Sequence, residues 1–558
     1  METIIFAYKP SFSLRVFFLY KKIFFNARIF VWCNKKKSVF ESINPSSLNF
    51  FIDKKKSALI FKEFFAEEGQ TNCISLDYIK KSLAYDFHEY FAFREEIDRQ
   101  FSFKSYKTYG PEILTNILEK TSTGLLSKTL LYINYLLYFF RFLLFLLKQM
   151  YPIIFYRGDL PTPNVIYLRR KPIPDGFLHT HYFFRERKVT VSGIIFQCNR
   201  IKQIYGLNFI NNYKSSLKAA LSAIRETILS LPLSVKSFSF YSVQPWLFYN
   251  FLRDLFLSIT LVKLESNIIY GSLADRSYVN LLHAYRDVYQ RILVHGDGFV
   301  YPPDLGGDYI NCDKFYSINS IERNCINFSG GNIKSFLNVG LYRQSQRGSS
   351  MGISSDLKEL IDDYHFTILV TLNTVRTEKY FPIDLEYFFA FLNEIINSAQ
   401  KHSSVLFIIK GKKGELKHVN SEISEKIANA KNIYTIDSEI PLMLKYNHFE
   451  DLVEKANLLI SMHYDSMTIW QSLVNNVPVI GYNFYPDVET FFDKYKNFIV
   501  KKGQLIKGIE YWMEIDKKSL NSFLTEIRKE TLLNESNSLY LIYEDIINIL
   551  KKIKKRHL

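Results

Sequence analysis

The polar run SMHYDSMT at 461–468 combines residue types that bind phosphate. It follows the apolar run 458–460 and precedes 469–474, whose apolar side chains have helical spacing, so it occupies a strand-to-helix turn. The first turn of a helix has backbone N–H groups without partners and carries a partial positive charge. Hydroxyls at Ser466 and Thr468 add donors there, so the turn suits a diphosphate. The simpler interpretation is that Ser466 or Thr468 only caps the helix.

The segments around this turn predict a parallel α/β sheet that positions it. Residues 451–484 have the pattern of helix, buried strand, polar turn, helix and buried strand. Two further buried strands are predicted at 366–372 and 405–409, with a helix at 385–400 between them. In open α/β sheets, ligands bind beyond the carboxyl ends of the strands, so the polar turn lies where a ligand is expected.

The turn and its flanking elements resemble the nucleotide-sugar-binding half of GT-B glycosyltransferases. The family pattern is D-L-x-x-x-A-D-L-x-I-S, followed by S-T-x-x-E-A-L-x-x-G-x-P-V-I. The matching positions are Asp451-Leu452, Ala456-Asn457-Leu458, Ile460-Ser461, Ser466-Met467-Thr468, Gln471-Ser472-Leu473 and Val477-Pro478-Val479-Ile480. The resemblance implies a set of donor-binding residues in the turn, namely Ser461, His463, Ser466, Met467 and Thr468.

Three more donor-binding residues follow from the same resemblance. Gln471 occupies the helix position where the family often has a glutamate that holds donor hydroxyls, and an amide keeps the hydrogen bonds but not the charge. Arg376 lies in the loop after strand 366–372 and is expected to clamp phosphate oxygens, unless it is only a solvated surface charge. Lys410 ends strand 405–409 and is the residue that matches the family's K-P-H-P segment.

The general base is expected in the first half of the chain. A buried strand at 291–295 ends in the turn HGDG, and turns of this kind often form active-site rims. An inverting glycosyltransferase needs a base that takes the proton of the acceptor hydroxyl. The candidates are His295 and Asp297, with His181 as a third. The alternatives are that the histidine is a satisfied rim residue and that Asp297 only shapes the turn.

Composition narrows the class of protein. A chain of 558 residues has enough apolar content for sizeable cores. Its five cysteines are scattered and lack the spacing of metal ligands, which predicts reduced thiols in the cytoplasm. We expect no metal site and no cofactor, the nucleotide-activated sugar being a substrate. The net charge of +16 is spread along the chain without a recognisable nucleic-acid module, so no nucleic-acid partner is expected.

Two segments predict contact with an anionic membrane surface. Residues 129–147 are almost continuously apolar and about as long as a spanning helix, with Arg141 as an interruption. The basic run at 551–556 suits the anionic inner face of a membrane. Strands predicted before the apolar helix, at 4–7, 29–32 and 48–52, are expected to share a sheet with later ones such as 165–168 and 292–295, which argues against a single crossing. We therefore expect a helix in the membrane interface or in a hydrophobic groove, the alternative being a buried core helix.

The predicted fold class is α/β, with two Rossmann-like domains that face a central cleft and a hydrophobic membrane-associating helix in the N-terminal half. Residues 1–345 are expected to form an acceptor-binding domain, 358–530 a nucleotide-sugar-binding domain, and 531–558 a C-terminal helix with a basic tail. The strand predicted at 312–316 resembles the family's aD-x-i-x-v-n segment, and 336–343 resembles its f-x-x-V-G-x-P-R crossing from the N-terminal to the C-terminal domain.

The resemblance implies a metal-independent glycosyltransferase, peripheral on the cytoplasmic face of the cell membrane. Its substrates would be a nucleotide sugar and a glycan or glycolipid acceptor of the capsule, O-antigen or lipopolysaccharide type. One alternative is a CDP-alditol phosphotransferase of teichoic-acid type, to which only His463 points. Another is a catalytically inactive scaffold of a glycan assembly complex, which fits Gln471 and the absence of the histidine of K-P-H-P.

Overall fold

The computed structural model describes most of the chain from residue 125 onward and parts of the chain before it. The described ranges are 4–8, 28–32, 41–42, 106–109, 125–155, 164–169, 191–195, 216–240, 245–272, 276–296, 310–329, 331–341, 352–373, 385–411, 414–436, 446–464, 466–484, 490–531 and 538–557, together with residue 375 and short helical pieces within 22–99. In these residues the strands form three sheets, and all strand pairs are parallel.

The first sheet has four strands in the order β3-β2-β1-β4. Its strands are β1 Ile4–Tyr8, β2 Arg28–Trp32, β3 Glu41–Ser42 and β4 Tyr106–Tyr109. The prediction that the early strands join the later ones in a single sheet is therefore wrong. Both edges of β1 are occupied, by β2 and β4, so β1 has no edge left for a later strand. A strand predicted at 48–52 lies outside the described residues.

The second sheet has six strands in the order β10-β9-β8-β7-β5-β6. Its strands are β5 Val165–Arg169, β6 Val191–Ile195, β7 Ile268–Ser272, β8 Arg291–His295, β9 Lys314–Ser317 and β10 Phe336–Asn338. The helices described in this part of the chain are α1 Leu125–Phe155, α2 Ser216–Phe240, α3 Pro245–Val262, α4 Arg276–Tyr285 and α5 Ser320–Ser329.

The third sheet has six strands in the order β13-β12-β11-β14-β15-β16. Its strands are β11 Phe366–Thr371, β12 Val405–Lys410, β13 Ile433–Ile436, β14 Leu458–Ser461, β15 Val479–Asn483 and β16 Ile499–Lys501. The helices are α6 Ser355–Asp363, α7 Leu385–Lys401, α8 Ser421–Asn429, α9 Phe449–Val453, α10 Met467–Val474, α11 Leu505–Glu514 and α12 Lys517–Thr531. The chain fills one half of the sheet, returns to the centre and fills the other half, which is the strand order of dinucleotide-binding Rossmann domains.

Apolar side chains cover both faces of the third sheet. Ile368 and Val370 enter one core and Leu369 enters the other, because successive side chains of a strand point to opposite faces. This double burial explains why the strands of this sheet have continuous apolar sequences rather than alternating ones.

The last helix, α13 Ser538–His557, packs against the second sheet. Its apolar residues Ile542 and Ile546 join the same core as strand residues Ile268 and Leu293. The C-terminal segment therefore contributes to the structure of the N-terminal half.

Among the described residues, one helical segment is long and apolar enough to cross a bilayer. This segment is the part of α1 from Tyr135 to Phe155, and 29% of its most apolar stretch is buried. The apolar segment predicted at 129–147 lies within α1. One side of α1 packs on α2 and α3, and the other side is exposed. α1 is therefore not a fully buried core helix.

Candidate functional site

The reversal of strand order in the third sheet lies between β11 and β14. At such a point the segments that follow the two strands turn to opposite sides, which opens a crevice at the carboxyl edge. β11 ends at Thr371 and β14 ends at Ser461, and these two residues are paired in register. The polar turn predicted from the sequence follows β14 directly, so it lines this crevice.

A chain of three hydroxyls lies at the start of α10. Ser466 is the N-cap, with extended backbone, and its Oγ accepts a hydrogen bond from the backbone N–H of Thr468 at 3.4 Å. The Ser466 Oγ is 2.9 Å from Thr468 Oγ1, which is 3.2 Å from Thr371 Oγ1. Sequence analysis identified Ser466 and Thr468 but not Thr371, although the position of Thr371 at a strand end was a usable signal.

Two other residues of the turn, Ser461 and His463, are held inside the protein. The Ser461 hydroxyl donates to the carbonyl oxygen of His463 at 2.9 Å, and both residues are buried. The His463 ring stacks on Tyr464 with ring centroids 4.3 Å apart. Tyr387 holds the backbone of the turn in place, because its hydroxyl donates to the Met462 carbonyl oxygen at 2.6 Å. Ser461 and His463 therefore shape the turn, whereas Ser466 and Thr468 line its helix end.

A lysine and an acid lie beside the hydroxyls. Lys410 ends β12, and its Nζ donates to the carbonyl oxygen of Asn447 at 2.9 Å. Burial lowers the pKa of Lys410 below its ordinary value, and the nearby Glu450 carboxylate opposes this shift. The Gln471 amide Nε2 is 3.5 Å from Glu450 Oε1. Glu450, which sequence analysis missed, therefore brings a carboxylate next to the amide of Gln471.

The loop that carries Asn447 is fixed to the segment before α6. Asn447 has a left-handed backbone, with φ of 58°, and its Oδ1 accepts from the Ser354 N–H at 2.8 Å. Its own N–H donates to the Gly352 carbonyl oxygen at 2.9 Å. The carbonyl that Lys410 contacts is thus held by residues more than 90 positions earlier in the sequence, which no local pattern indicates.

The candidate base His295 ends β8 in the second sheet, so it lies on a different sheet from Ser466. It is buried, and its ring centroid is 5.1 Å from that of Tyr270. Next to it, a Cβ atom on Gly296 would lie 1.9 Å from Glu322 Oε1. Glu322 is held there because its Oε2 accepts from the Ile318 N–H at 2.6 Å. A buried carboxylate therefore packs against the residue after His295.

Three sequence-predicted residues, Asp297, Arg376 and His181, lie outside the described residues. In the part of the chain that is described, no group of three histidine, cysteine, aspartate or glutamate side chains has the geometry to hold a metal ion.

No family model matches the chain, and no curated protein matches it. Several solved structures are similar to it at low identity. A putative UDP-N-acetylglucosamine 2-epimerase from Listeria monocytogenes is 10% identical, with a TM-score of 0.41, and the match covers 70% of this chain and 97% of that one. The UDP-GlcNAc 2-epimerase of Methanocaldococcus jannaschii, in complex with UDP-GlcNAc and UDP, is 12% identical with a TM-score of 0.37, covering 70% and 99%. A UDP-glucosyltransferase from Polygonum tinctorium is 11% identical with a TM-score of 0.37, also covering 70% and 99%.

Proposed function

We propose that the chain is a GT-B-type glycosyltransferase that moves a sugar from a nucleotide-activated donor to a growing cell-surface glycan. The observation that supports this most is the hydroxyl chain Thr371, Thr468 and Ser466 at the N-terminus of α10. It lies at the strand-order reversal of a sheet with dinucleotide-binding topology. Such an edge suits the diphosphate of a donor.

Each group in the crevice has a proposed role toward the donor. The hydroxyls of Ser466 and Thr468, at the positive N-terminal end of α10, would bind the diphosphate. Lys410 would offset the charge that develops on the leaving diphosphate, with Arg376 as a second cation. Gln471 and Glu450 would hold donor hydroxyls, since together they supply amide and carboxylate oxygens.

The proposed reaction is a displacement at the anomeric carbon. The acceptor oxygen forms a bond to that carbon, and the bond from the carbon to the diphosphate oxygen breaks. The nucleoside diphosphate leaves with the electron pair, and in an inverting reaction the hydroxyl proton passes to His295 or Asp297. No metal ion is needed in this scheme, because the helix end and the basic residues stabilise the leaving group.

The proposed acceptor is a glycan or glycolipid of the capsule, O-antigen or lipopolysaccharide type at the cytoplasmic face of the membrane. The basic end of α13, 551–556, supports a peripheral location there, at about 1 kcal/mol for each basic residue near an anionic surface. The proposed two-domain division at 345 and 358 places this acceptor with the N-terminal half.

The experiment that tests the donor is a thermal-shift screen of purified protein with UDP, GDP, CMP, CDP and dTDP and their sugar or alditol conjugates. Stabilisation by one nucleotide sugar supports the transferase and identifies its donor. Stabilisation by CDP-glycerol or CDP-ribitol favours the phosphotransferase instead. If none of the compounds raises the Tm of well-folded protein, the inactive scaffold is the better interpretation.

A further inference from the structure

Helices α1 and α2 share an exposed apolar surface, here called the α1–α2 face. Of the eighteen large apolar side chains that are exposed among the described residues, thirteen belong to these two helices. Exposed apolar side chains scattered singly over a surface need no explanation, but a contiguous set marks an interaction site.

On α1 the exposed side chains recur every three or four residues. At about 100° per residue this spacing places them in one stripe along the helix. The stripe contains Ile133, Leu137, Phe140, Leu144, Leu147 and Tyr151, and the exposed fraction of Leu147 reaches 69%. α1 is therefore apolar on the side that faces solvent.

The opposite side of α1 is packed into the protein. Phe142, Phe145 and Ile153 are buried in the core that α1 shares with α3, and the Phe145 ring meets that of Phe256 edge-on at 6.1 Å. The Tyr135 hydroxyl donates to the Phe238 carbonyl oxygen at 2.8 Å, which ties α1 to the end of α2. α1 thus has two apolar sides, of which the protein covers one.

α2 repeats this arrangement. Its small residues Ala219 and Ala223 are buried in the same core, and its outward stripe contains Leu221, Ile228, Leu229 and Leu233. Both helices pack on α3, which is almost wholly buried, so their exposed stripes both point away from α3. α1 and α2 also contact each other, so the two stripes lie on neighbouring helices.

Basic residues border the apolar stripes. Arg141 and Lys148 are one heptad apart and lie along one edge of the α1 stripe, and both are exposed. On α2, Lys218 and Arg225 lie at the outward positions of the first half of the helix. The 31 residues of α1 contain no acidic residue, and α2 contains only Glu226. The face is apolar at its centre and positive at its edge.

We propose that the α1–α2 face docks into the interface of an anionic lipid bilayer without crossing it. This inference rests on the membrane location proposed above and identifies the surface that makes the contact. Apolar side chains would enter the boundary between headgroups and acyl chains, while the basic residues meet anionic headgroups. Arg141 is suited to the boundary, because its guanidinium lies over the ring of Tyr249 at 5.1 Å and keeps one side toward solvent.

Two other occupants fit the observations less well. In a two-fold contact with a second copy, the basic borders of one face would meet those of the other, and like charges repel. A crossing by α1 would remove Phe142 and Phe145 from the core and break the hydrogen bond from Tyr135 to Phe238. A bilayer surface satisfies both the apolar centre and the positive edge while the helices stay packed.

The test is flotation of the full-length protein with phosphatidylcholine vesicles, with and without phosphatidylglycerol. We expect the protein to float with the anionic vesicles. The triple variant Leu144→Gln, Leu147→Gln and Leu229→Gln should reduce the bound fraction about tenfold or more, because three side chains that enter the bilayer become polar. Arg141→Gln with Arg225→Gln should weaken the preference for phosphatidylglycerol without removing it, because Lys148, Lys218 and the basic run 551–556 remain.

The matched control is Val288→Gln, which replaces an apolar side chain that is 79% exposed but lies outside both helices. It should float as the wild type does. Unchanged flotation of the triple variant would overturn the proposal, and so would concentration-dependent dimerisation that the triple variant abolishes in the absence of vesicles. Retention of the protein in membranes after alkaline carbonate extraction would identify a crossing helix instead. The donor screen repeated on the triple variant separates the two proposals, since nucleotide binding should be unchanged.

Discussion

The hydroxyl of Thr468 has two hydroxyl neighbours, Ser466 and Thr371, which come from two different strand ends. Hydroxyls can donate or accept, so such a chain adapts its hydrogens to a bound anion. Gln471 and Glu450 form a second pair in the same crevice, and this pair restores the carboxylate that the residue type at 471 lacks. At the scale of single residues, the site combines the near neighbours Ser466 and Thr468 with pairs whose members are 97 and 21 positions apart.

The first prediction concerns the hydroxyls. Ser466→Ala with Thr468→Val should weaken donor binding by about 1 kcal/mol for each hydroxyl removed, because the diphosphate loses a donor at each position. Isothermal titration with the nucleotide found in the screen measures this loss. The control Asp516→Ala removes the side chain that caps α12 through the Lys518 and Ser519 N–H groups, and it should leave the affinity unchanged. Equal affinity of the double variant and the wild type would show that the diphosphate binds elsewhere.

The second prediction concerns the residue after His295. Gly296→Ala should lower the free energy of unfolding by about 1–3 kcal/mol, because the new methyl group displaces the Glu322 carboxylate from the Ile318 N–H. Urea denaturation measures the change. Glu322→Ala should lower the free energy of unfolding by less in the Gly296→Ala variant than in the wild type. The reason is that Gly296→Ala has already broken the hydrogen bond from the Ile318 N–H to Glu322. Strictly additive costs would contradict this arrangement.

At the scale of elements, the strands of the third sheet and strand β8 at 291–295 were predictable from the sequence, whereas the division of the first half of the chain into two sheets was not. The strands predicted at 366–372 and 405–409 each differ by one residue from β11 and β12 of the structure. These strands are buried on both faces, so their continuous apolar runs are a strong signal. In the first half, the separation of β1 from β5 depends on which strand occupies each edge, and local sequence does not carry that information.

The site was predictable in part for a related reason. Ser466 and Thr468 lie in one turn, so spacing identified them and the cap position. Thr371 and Glu450 reach the same crevice from segments that precede it by 97 and 21 positions. Only the strand order brings Thr371 beside Thr468, and only the short helix α9 turns Glu450 toward Gln471.

The third prediction belongs to the contact between α4 and β9. Burial and the neighbouring Arg286 lower the pKa of His283 to about 4. The pKa of His283 in the folded state is below the ordinary 6.5. As pH falls, the imidazole of His283 is therefore protonated in the unfolded state before it is protonated in the folded state. Stability is therefore lost as pH falls from 6.5 to 4, by roughly 3 kcal/mol from this group.

The pKa of Asp313 is also lowered, despite its burial, by hydrogen bonds from the Ile292 N–H, Lys334 and Arg286. The contribution of Asp313 to stability is lost at still lower pH.

The measurement is the free energy of unfolding in urea at a series of pH values. His283→Gln should lose less stability than the wild type between pH 6.5 and 4, because the titrating group is absent. His418→Gln, which leaves His283 in place, is the control and should keep the wild-type slope. Identical slopes for all three proteins would refute the role of His283.

At the scale of the whole molecule, α13 joins the C-terminal segment to the second sheet. Lys314 Nζ is 2.7 Å from Asp545 Oδ1, and the Tyr316 hydroxyl donates to Asp545 Oδ2 at 2.8 Å. Burial and this carboxylate raise the pKa of Tyr316 well above its ordinary value, so the tyrosine remains a donor. Asp545 therefore links α13 to β9 through two partners at once.

The fourth prediction follows from this link. Asp545→Ala should lower the free energy of unfolding by about 1–3 kcal/mol, because Lys314 and Tyr316 lose their shared acceptor in a largely buried contact. Urea denaturation provides the value. Glu422→Gln breaks an exposed pair with Lys426 within one helix and should cause no measurable change. A similar effect of both substitutions would mean that the contact of α13 with β9 contributes no more than a surface ion pair.

The packing of α13 also constrains the order in which the protein folds. Val165, Leu293 and Tyr316 of the second sheet share their core with Ile546. During synthesis, this side of the sheet remains uncovered while the ribosome makes the whole of the third sheet. The N-terminal half expressed alone would present that apolar surface to solvent and aggregate, whereas the same half supplied with residues 538–557 as a separate peptide would have the means to complete its fold.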